Sequence, residues 1–473
     1  MFERVERVVR ATTLATALML GGCMSLAPNY ERPAAPVPPS YAPELVPAGA
    51  AAGAAAAAEI EWQRFFADAR LRKLIEIALA NNRDLRVAVL NIEQARAAYQ
   101  IKRADELPTL GAGFTAQRAA GTNGGLVNTY AVGLQVTGYE IDFFGRVRNL
   151  SQAALSQYLA TDEARKTVQI TLVASVANAY VSLLADDELL RVTRETLKTR
   201  DESFKLTKLK FDNGAASELD FRQAEQLLEG ARATLAQTQR QRALDENALA
   251  LLLGQTPPAD LPAGSKLESA QVTSELPAGL PSDLLARRPD VRSAEQQLLA
   301  ANANIGAARA AMFPRIALTA NAGTASLELD GLFKSGTWAI TGSASLLQTI
   351  FDSGRNQANV EVAKVNKEIA IAQYEKAIQT AFREVSDALA GRATLGEQLR
   401  AQAAQAKAAQ VTFNLADLRY RNGAASYLDV LDAQRSVFTA QQALVQVQAL
   451  QAQNQVLLYK ALGGGWTEAA KTN

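Results

Sequence analysis

The sequence has 473 residues, with 49 Lys and Arg against 48 Asp and Glu, a formal net charge of +1, no histidine and one cysteine. Balanced charge argues against an electrostatic nucleic-acid binder, which carries a basic surplus. Without histidine, metal hydrolysis and Ser/His/Asp chemistry lose their commonest residue; no nucleophile motif or metal-ligand cluster stands out, so the chain reads as a non-enzyme, and Cys23 alone closes no intrachain disulfide.

At the N-terminus, Arg4, Arg7 and Arg10 precede an apolar stretch from Ala11 to Leu20. It is too short for a bilayer span, which takes about 20 residues, and suits the core of a secretory signal. Leu20-Gly21-Gly22-Cys23 resembles the bacterial lipobox, in which the cysteine is acylated and becomes the first mature residue. This predicts a lipoprotein signal peptide over 1–22 and covalent lipid on Cys23, with no other cofactor; an ordinary signal beside an unmodified cysteine is the alternative. The Pro-, Ala- and Gly-rich residues 23–60 predict a lipidated, extended spacer lying along the body.

The rest of the chain is written twice. "FDNGAASELD" returns 209 residues later as "YRNGAASYLD", so Asn213 matches Asn422, Gly214 matches Gly423 and Ser217 matches Ser426. Identical five-residue runs in matching flanks predict a tandem duplication: repeat 1 over 61–265, a linker over 266–280, repeat 2 over 281–465 and a tail over 466–473. Each copy reads helix, β-hairpin, long helix, tip turn, helix. The hairpins are expected at about 108–142 and 314–350, the turns at about 213–217 and 422–426.

In the first hairpin, Tyr130, Val132, Leu134 and Val136 alternate with Ala131, Gly133, Gln135 and Thr137; in the second, Trp338, Ile340, Ala344 and Leu346 alternate with Ala339, Thr341, Ser343 and Ser345. One apolar face and one small, polar face is the transmembrane-barrel pattern; a soluble sheet packed on a helix is the alternative. Four strands close no barrel, and lipid tolerates no open edge, so the strands demand an oligomer; three subunits would give twelve.

From Gly145 to Gly214, and from Gly354 to Gly423, run 69 residues without proline, on the order of 100 Å if helical. Charges such as Glu163, Arg165, Lys166, Asp186 and Asp187 are expected to keep the first in water, and Gly391 and Gly396 to bend or break the second. After the second turn, Val430, Val437 and Leu444 recur at seven with Ala433, Ala440 and Val447 behind them, a coiled-coil-like seam shared equally by ordinary bundles. Leu428, Asp429, Asp432 and Arg435 fall on the opposite face, where a solvated surface is the plain reading. Copy one has Asp220 opposite Asp429 but Gln223 opposite Asp432. Gly214 and Gly423 permit the turns, and Ser217 and Ser426 suit N-caps.

The lipobox, "PNYERPAAPVP", "LRKLIEIALANNRDLRVAVLNIEQARAAY", "ARRPDVRSAEQQLLAANANIGAARAAMFPRI" and "YRNGAASYLDVLDAQRSVFTAQQALVQ" stand in an order that resembles the outer-membrane factors of tripartite efflux pumps. More narrowly, the chain is similar to the TolC-like channel lipoproteins of the OprM/NodT branch. The resemblance implies an α+β homotrimer, with a twelve-stranded outer-membrane β-barrel continuous with a long periplasmic α-helical barrel. It implies a periplasmic adaptor protein and an inner-membrane RND pump as partners, outer-membrane lipid around the barrel, and no nucleic acid. Asn213, Gly214, Ser217, Asn422, Gly423 and Ser426 would be the adaptor-docking tips. Leu428, Asp429, Asp432 and Arg435 would form the periplasmic gate, with copy two as the constriction. A type I protein-secretion channel and a helical scaffold lipoprotein are the competing roles.

Overall fold

The computed structural model describes residues 25–42, 44, 60–120, 124–269 and 287–466. Cys23, the signal segment, most of the spacer and much of the linker lie outside them. In chain order the elements are α1 (Trp62–Phe65), α2 (Ala69–Asn81), α3 (Arg83–Ala104), β1 (Leu110–Ala120), β2 (Leu126–Ile141), α4 (Arg146–Asp212) and α5 (Glu218–Leu253). After a 3₁₀ turn (Leu267–Ser269) come α6 (Pro289–Ala310), β3 (Arg315–Ser326), β4 (Trp338–Leu347), α7 (Arg355–Arg421) and α8 (Tyr427–Ala461). Helix, hairpin, long helix, turn and helix thus occur twice. The long helices α4 and α7 have 67 residues each, about 100 Å apiece.

The chain divides into two compact units, and both long helices begin in the first and end in the second. The first unit holds the sheet, whose strands pair antiparallel in the order β1-β2-β3-β4. Register aligns Phe114, Val132, Thr324 and Trp338 across the strands, and next to them Ala112, Leu134, Ala322 and Ile340. The other face aligns Gly111, Gln135, Asn321 and Thr341. Among the described residues no helix covers the apolar face in the manner of a soluble sheet: Phe114, Trp338 and Ile340 are 57%, 63% and 74% exposed, and all of β4 is exposed. A bulge between Val136 and Tyr139, with Gly138 at φ 64°, puts Tyr139 and Ile141 opposite Leu318 and Ile316, and so returns them to the apolar face. Gly133 and Gly323 sit opposite each other; a Cβ on Gly133 would lie 2.6 Å from the Gly323 Cα. On the small, polar face the backbones of β2 and β3 therefore leave no room for a side chain at this pair.

The N-terminal strap, residues 25–32, lies along α6. Arg32 donates twice to Glu295, at 2.7 and 2.9 Å, and the Tyr30 hydroxyl donates to the same carboxylate at 3.0 Å. Asn302 and Arg309 donate to the carbonyls of Pro28 and Leu26. At Gly306 a side chain would run into Ala27.

In the second unit, Phe65 stacks on Tyr459 at 3.9 Å, and the Tyr459 hydroxyl donates to the Ile60 carbonyl. Buried Arg288 bridges Asp290, Glu384 and the Ala461 carbonyl. One stretch of α4 is apolar enough by composition to cross a membrane, but half of it is buried inside the protein as core. Two of the charges expected in water are also buried. Glu163 is held by Lys166 at 2.9 Å and Arg292 at 2.8 Å, and Asp186 faces Asp245 of α5. The second long helix does not break: α7 is continuous through Gly391 and Gly396. Gly391 instead admits Asn454 of α8, whose amide donates to the Ala388 carbonyl at 2.9 Å, and a Cβ there would overlap that amide.

These helix contacts set the sign of three substitutions. Gly391→Leu should lower stability by about 1–3 kcal/mol through overpacking. Gly396→Ala meets no neighbour and should raise stability by about 0.5–1 kcal/mol; helical circular dichroism on heating reads both signs. Burial, then the facing Asp245 and Asp187, push the Asp186 carboxyl up to about 7 against the opposing pull of Arg242. The folded form therefore binds the proton more tightly than the unfolded one, and this contribution to stability is lost as pH rises from about 4 through about 7. Asp245→Asn should flatten that part of the melting-temperature profile between pH 5 and 8.

Candidate functional site

Each tip is built from backbone outward. At the end of α4, the Gly214 N–H donates to Phe211 at 2.9 Å and the Ala215 N–H to Lys210 at 2.7 Å; at the end of α7, Gly423 donates to Tyr420 at 3.0 Å and Ala424 to Arg419 at 2.9 Å. These paired bonds are Schellman closures, and they require the φ of 71° at Gly214 and 73° at Gly423. The Asn213 and Asn422 side chains reinforce them, each donating at 2.7 Å to the carbonyl four residues back. Ser217 and Ser426 then N-cap the following helices. Each hydroxyl accepts the backbone N–H of Asp220 or Asp429, whose carboxylate accepts from the serine backbone N–H in return. Between closure and cap stand Ala215-Ala216 and Ala424-Ala425, the first of each pair exposed.

This geometry gives Asp429 a local duty that the sequence repeat left unassigned. Its Oδ2 accepts from the Ser426 backbone N–H and pairs with the Ser426 hydroxyl, both at 3.0 Å, as Asp220 does for Ser217. The repetition of Asp at this position follows from the capping box. Asp432 has no capping role and no acidic counterpart in copy one. It is exposed and pairs with Arg435 one turn on, Nη1 to Oδ1, at 3.0 Å. Leu428 is 50% exposed beside them. The structure thus gathers Leu428, Asp429, Asp432 and Arg435 on the uncovered side of α8.

The buried side of α8 is wider than its heptad seam. Val430, Ala433, Ala440 and Val447 are buried, and so is a second register of Tyr427, Leu431, Gln434, Phe438 and Val445. In α5 the seam residues Ala224, Leu228 and Ala231 are buried, while Arg222, at the position matching Leu431, is exposed. The two tips share a cluster of Ala224, Tyr427, Val430 and Leu431, bordered by Phe204, Phe413 and Tyr420. Ser203 hydrogen-bonds the Tyr427 hydroxyl at 2.8 Å, and Lys210 donates to the Tyr420 hydroxyl at 2.9 Å. Tyr427, Ser203 and Lys210 are site residues that sequence reasoning missed. The signal at Tyr427 was an aromatic at the first helical position, where copy one has Glu218.

Residues 74–255 and 280–464 each match the protein family described as "Outer membrane efflux protein". The chain is 48% identical over 468 residues, 96% of its own length and 95% of the relative's, to the antibiotic efflux pump outer membrane protein ArpC of Pseudomonas putida. The same identity over the same lengths relates it to the toluene efflux pump outer membrane protein TtgC, also of Pseudomonas putida. Among solved structures, the open state of the Neisseria gonorrhoeae MtrE outer membrane channel is similar at a TM-score of 0.86 and 41% identity, covering 95% of this chain and 100% of that one.

If the capping boxes set the tips, Ser426→Ala should cost about 1 kcal/mol at the start of α8. Amide hydrogen exchange at Leu428 to Val430 should then quicken about fivefold, with the same response after α4 for Ser217→Ala.

Proposed function

The chain belongs to the outer membrane efflux protein family, and from that premise we propose that it is the outer-membrane exit channel of a tripartite RND-type efflux pump. The observation that carries this reading is the sheet: apolar and exposed on one side, small and polar on the other, with β1 and β4 unpaired along their outer edges among the described residues. The apolar side meets lipid and the polar side lines a water-filled duct. With four antiparallel strands, β1 and β4 run in opposite directions, so β4 of one copy can pair antiparallel with β1 of the next. Three copies close a twelve-stranded barrel, and the long helices of the same three copies form a periplasmic conduit. Lipid on Cys23 anchors each subunit to the outer membrane.

The tips at Asn213, Gly214 and Ser217 and at Asn422, Gly423 and Ser426 dock the helical hairpins of a periplasmic adaptor, which joins the channel to its inner-membrane pump. Their small exposed alanines let another helix approach closely. Leu428, Asp429, Asp432 and Arg435 form the periplasmic gate. The two buried registers of α8, against one in α5, favour copy two as the inner helix of the constriction. Repeated three times about one axis, Asp432 gives a ring that admits cations, with Asp429 just below it fixed by its cap. The Asp432–Arg435 pair ties the ring's charge to its own helix. Transport needs no chemistry from this chain; cargo of the kinds named for the relatives, apolar solvents and antibiotics, moves passively through it.

Planar-bilayer conductance of the purified protein tests the channel and the gate together. Wild type should give a low, cation-selective conductance, and Asp432→Ala should raise it several-fold and lower its selectivity. Conductance unmoved by the substitution would place the gate elsewhere, and none from inserted protein would remove the channel reading.

A further inference from the structure

Above the tips, within the second unit, α4, α7 and α8 line a half-open cavity of about 220 Å³. Two of its walls are polar side chains that are more than nine-tenths buried and incompletely satisfied. Arg200 of α4 is 6% exposed and makes one hydrogen bond, Nη1 to the Leu227 carbonyl at 3.0 Å. Its guanidinium lies over the Phe438 ring at 5.1 Å, and its Nε has no acceptor. Gln434 of α8 is 7% exposed, and its Oε1 accepts no hydrogen bond.

Among the described residues no carboxylate answers Arg200. Glu195 lines the cavity but is taken by Arg191 at 2.9 Å, and the charge acting on Arg200 is a second guanidinium, Arg435, itself held by Asp432. A buried cation without a counter-ion is costly, and one carbonyl and one ring offset only part of that. Burial, then the Arg435 charge, pull the Arg200 pKa below its ordinary value. Arginine still cannot shed its proton as a lysine would, so the charge stays and needs an anion.

We propose that this cavity binds a small oxyanion of the hydrogenphosphate class, its charged oxygens on the Arg200 guanidinium and its hydroxyl donating to Gln434 Oε1. The guanidinium supplies donors in a planar fork suited to such oxygens, and Gln434 distinguishes an anion carrying a hydroxyl from one without. The ligand would sit between α4 and α8 close to Arg435, and its binding stands apart from whether the protein conducts.

The full-length protein in detergent, in phosphate-free buffer, is titrated with inorganic phosphate by calorimetry, beside sulfate at matched ionic strength. Saturable phosphate binding at one site per chain is expected, with sulfate, which carries no hydroxyl at neutral pH, about tenfold weaker. Arg200→Met should abolish binding of both, and in phosphate-free buffer it should melt higher than wild type, because an unpaired buried charge is gone. Gln434→Leu should weaken phosphate about tenfold and leave sulfate unchanged, and Arg222→Met, at an exposed ion-paired arginine of α5, should change neither. No saturable binding in wild type, undiminished binding in folded Arg200→Met, or equal loss in Arg222→Met would overturn the site. Equal affinity for phosphate and sulfate would overturn the part assigned to Gln434.

Discussion

Backbone amides at the edge of a sheet are content in water, which supplies what the next strand would have supplied. In hydrocarbon nothing does, and each N–H or C=O left bare costs several kcal/mol. Among the described residues the outer edges of β1 and β4 carry such rows, on a sheet whose apolar face lies exposed. That conflict governs the rest of the chain. Neither hairpin is useful without its duplicate, since the four-stranded sheet forms only when β2 and β3 pair across the two repeats. At Gly133 and Gly323 that pairing brings the two backbones too close to admit a side chain.

Duplication has kept the backbone devices and released the side chains. Both tips use the same Schellman closure, the same serine cap and the same reciprocal aspartate. What differs is the face each following helix turns to its neighbours. α5 keeps charges such as Arg222 exposed where α8 buries Leu431, and Gln223 stands where α8 has Asp432. Similarly, Asp245 meets Asp186 in copy one, while Asn454 at the matching position of copy two donates to a carbonyl beside Gly391. The same closures and caps thereby carry unlike surfaces.

Much of this was legible in sequence because it depends on local rules. Strand faces follow from alternation, and the sheet register keeps the expected residues together; only the reset at Gly138 departs from simple alternation, and the glycine itself was the available signal. The serine caps and left-handed glycines follow from the turn sequence alone. Features that depend on another element were not legible. Asp186 and Glu163 look like surface charges until the facing residues are known, and Gly391 looks like a helix breaker until Asn454 is seen against it. The second buried register of α8, from Tyr427 to Val445, escaped because a single heptad seam already accounted for one neighbour. Arg200 shows the same limit: its solitude is a property of what surrounds it, and no string of residues reports that.

The strap along α6 bears on the order of events during biogenesis. Arg32 and Glu295 meet although they stand 263 positions apart in the chain, and Leu26 and Arg309 although they stand 283 apart. The N-terminus is made and exported first, so the strap has no surface to settle on until repeat 1 and the first helix of repeat 2 have both arrived. Its docking therefore comes late, after the first hairpin has been delivered and as the second follows α6 out. A nascent chain truncated before residue 289 would keep this segment loose, whereas a complete one draws it down. The strap is thus a record, written in hydrogen bonds, that the first helix of the second copy has come through.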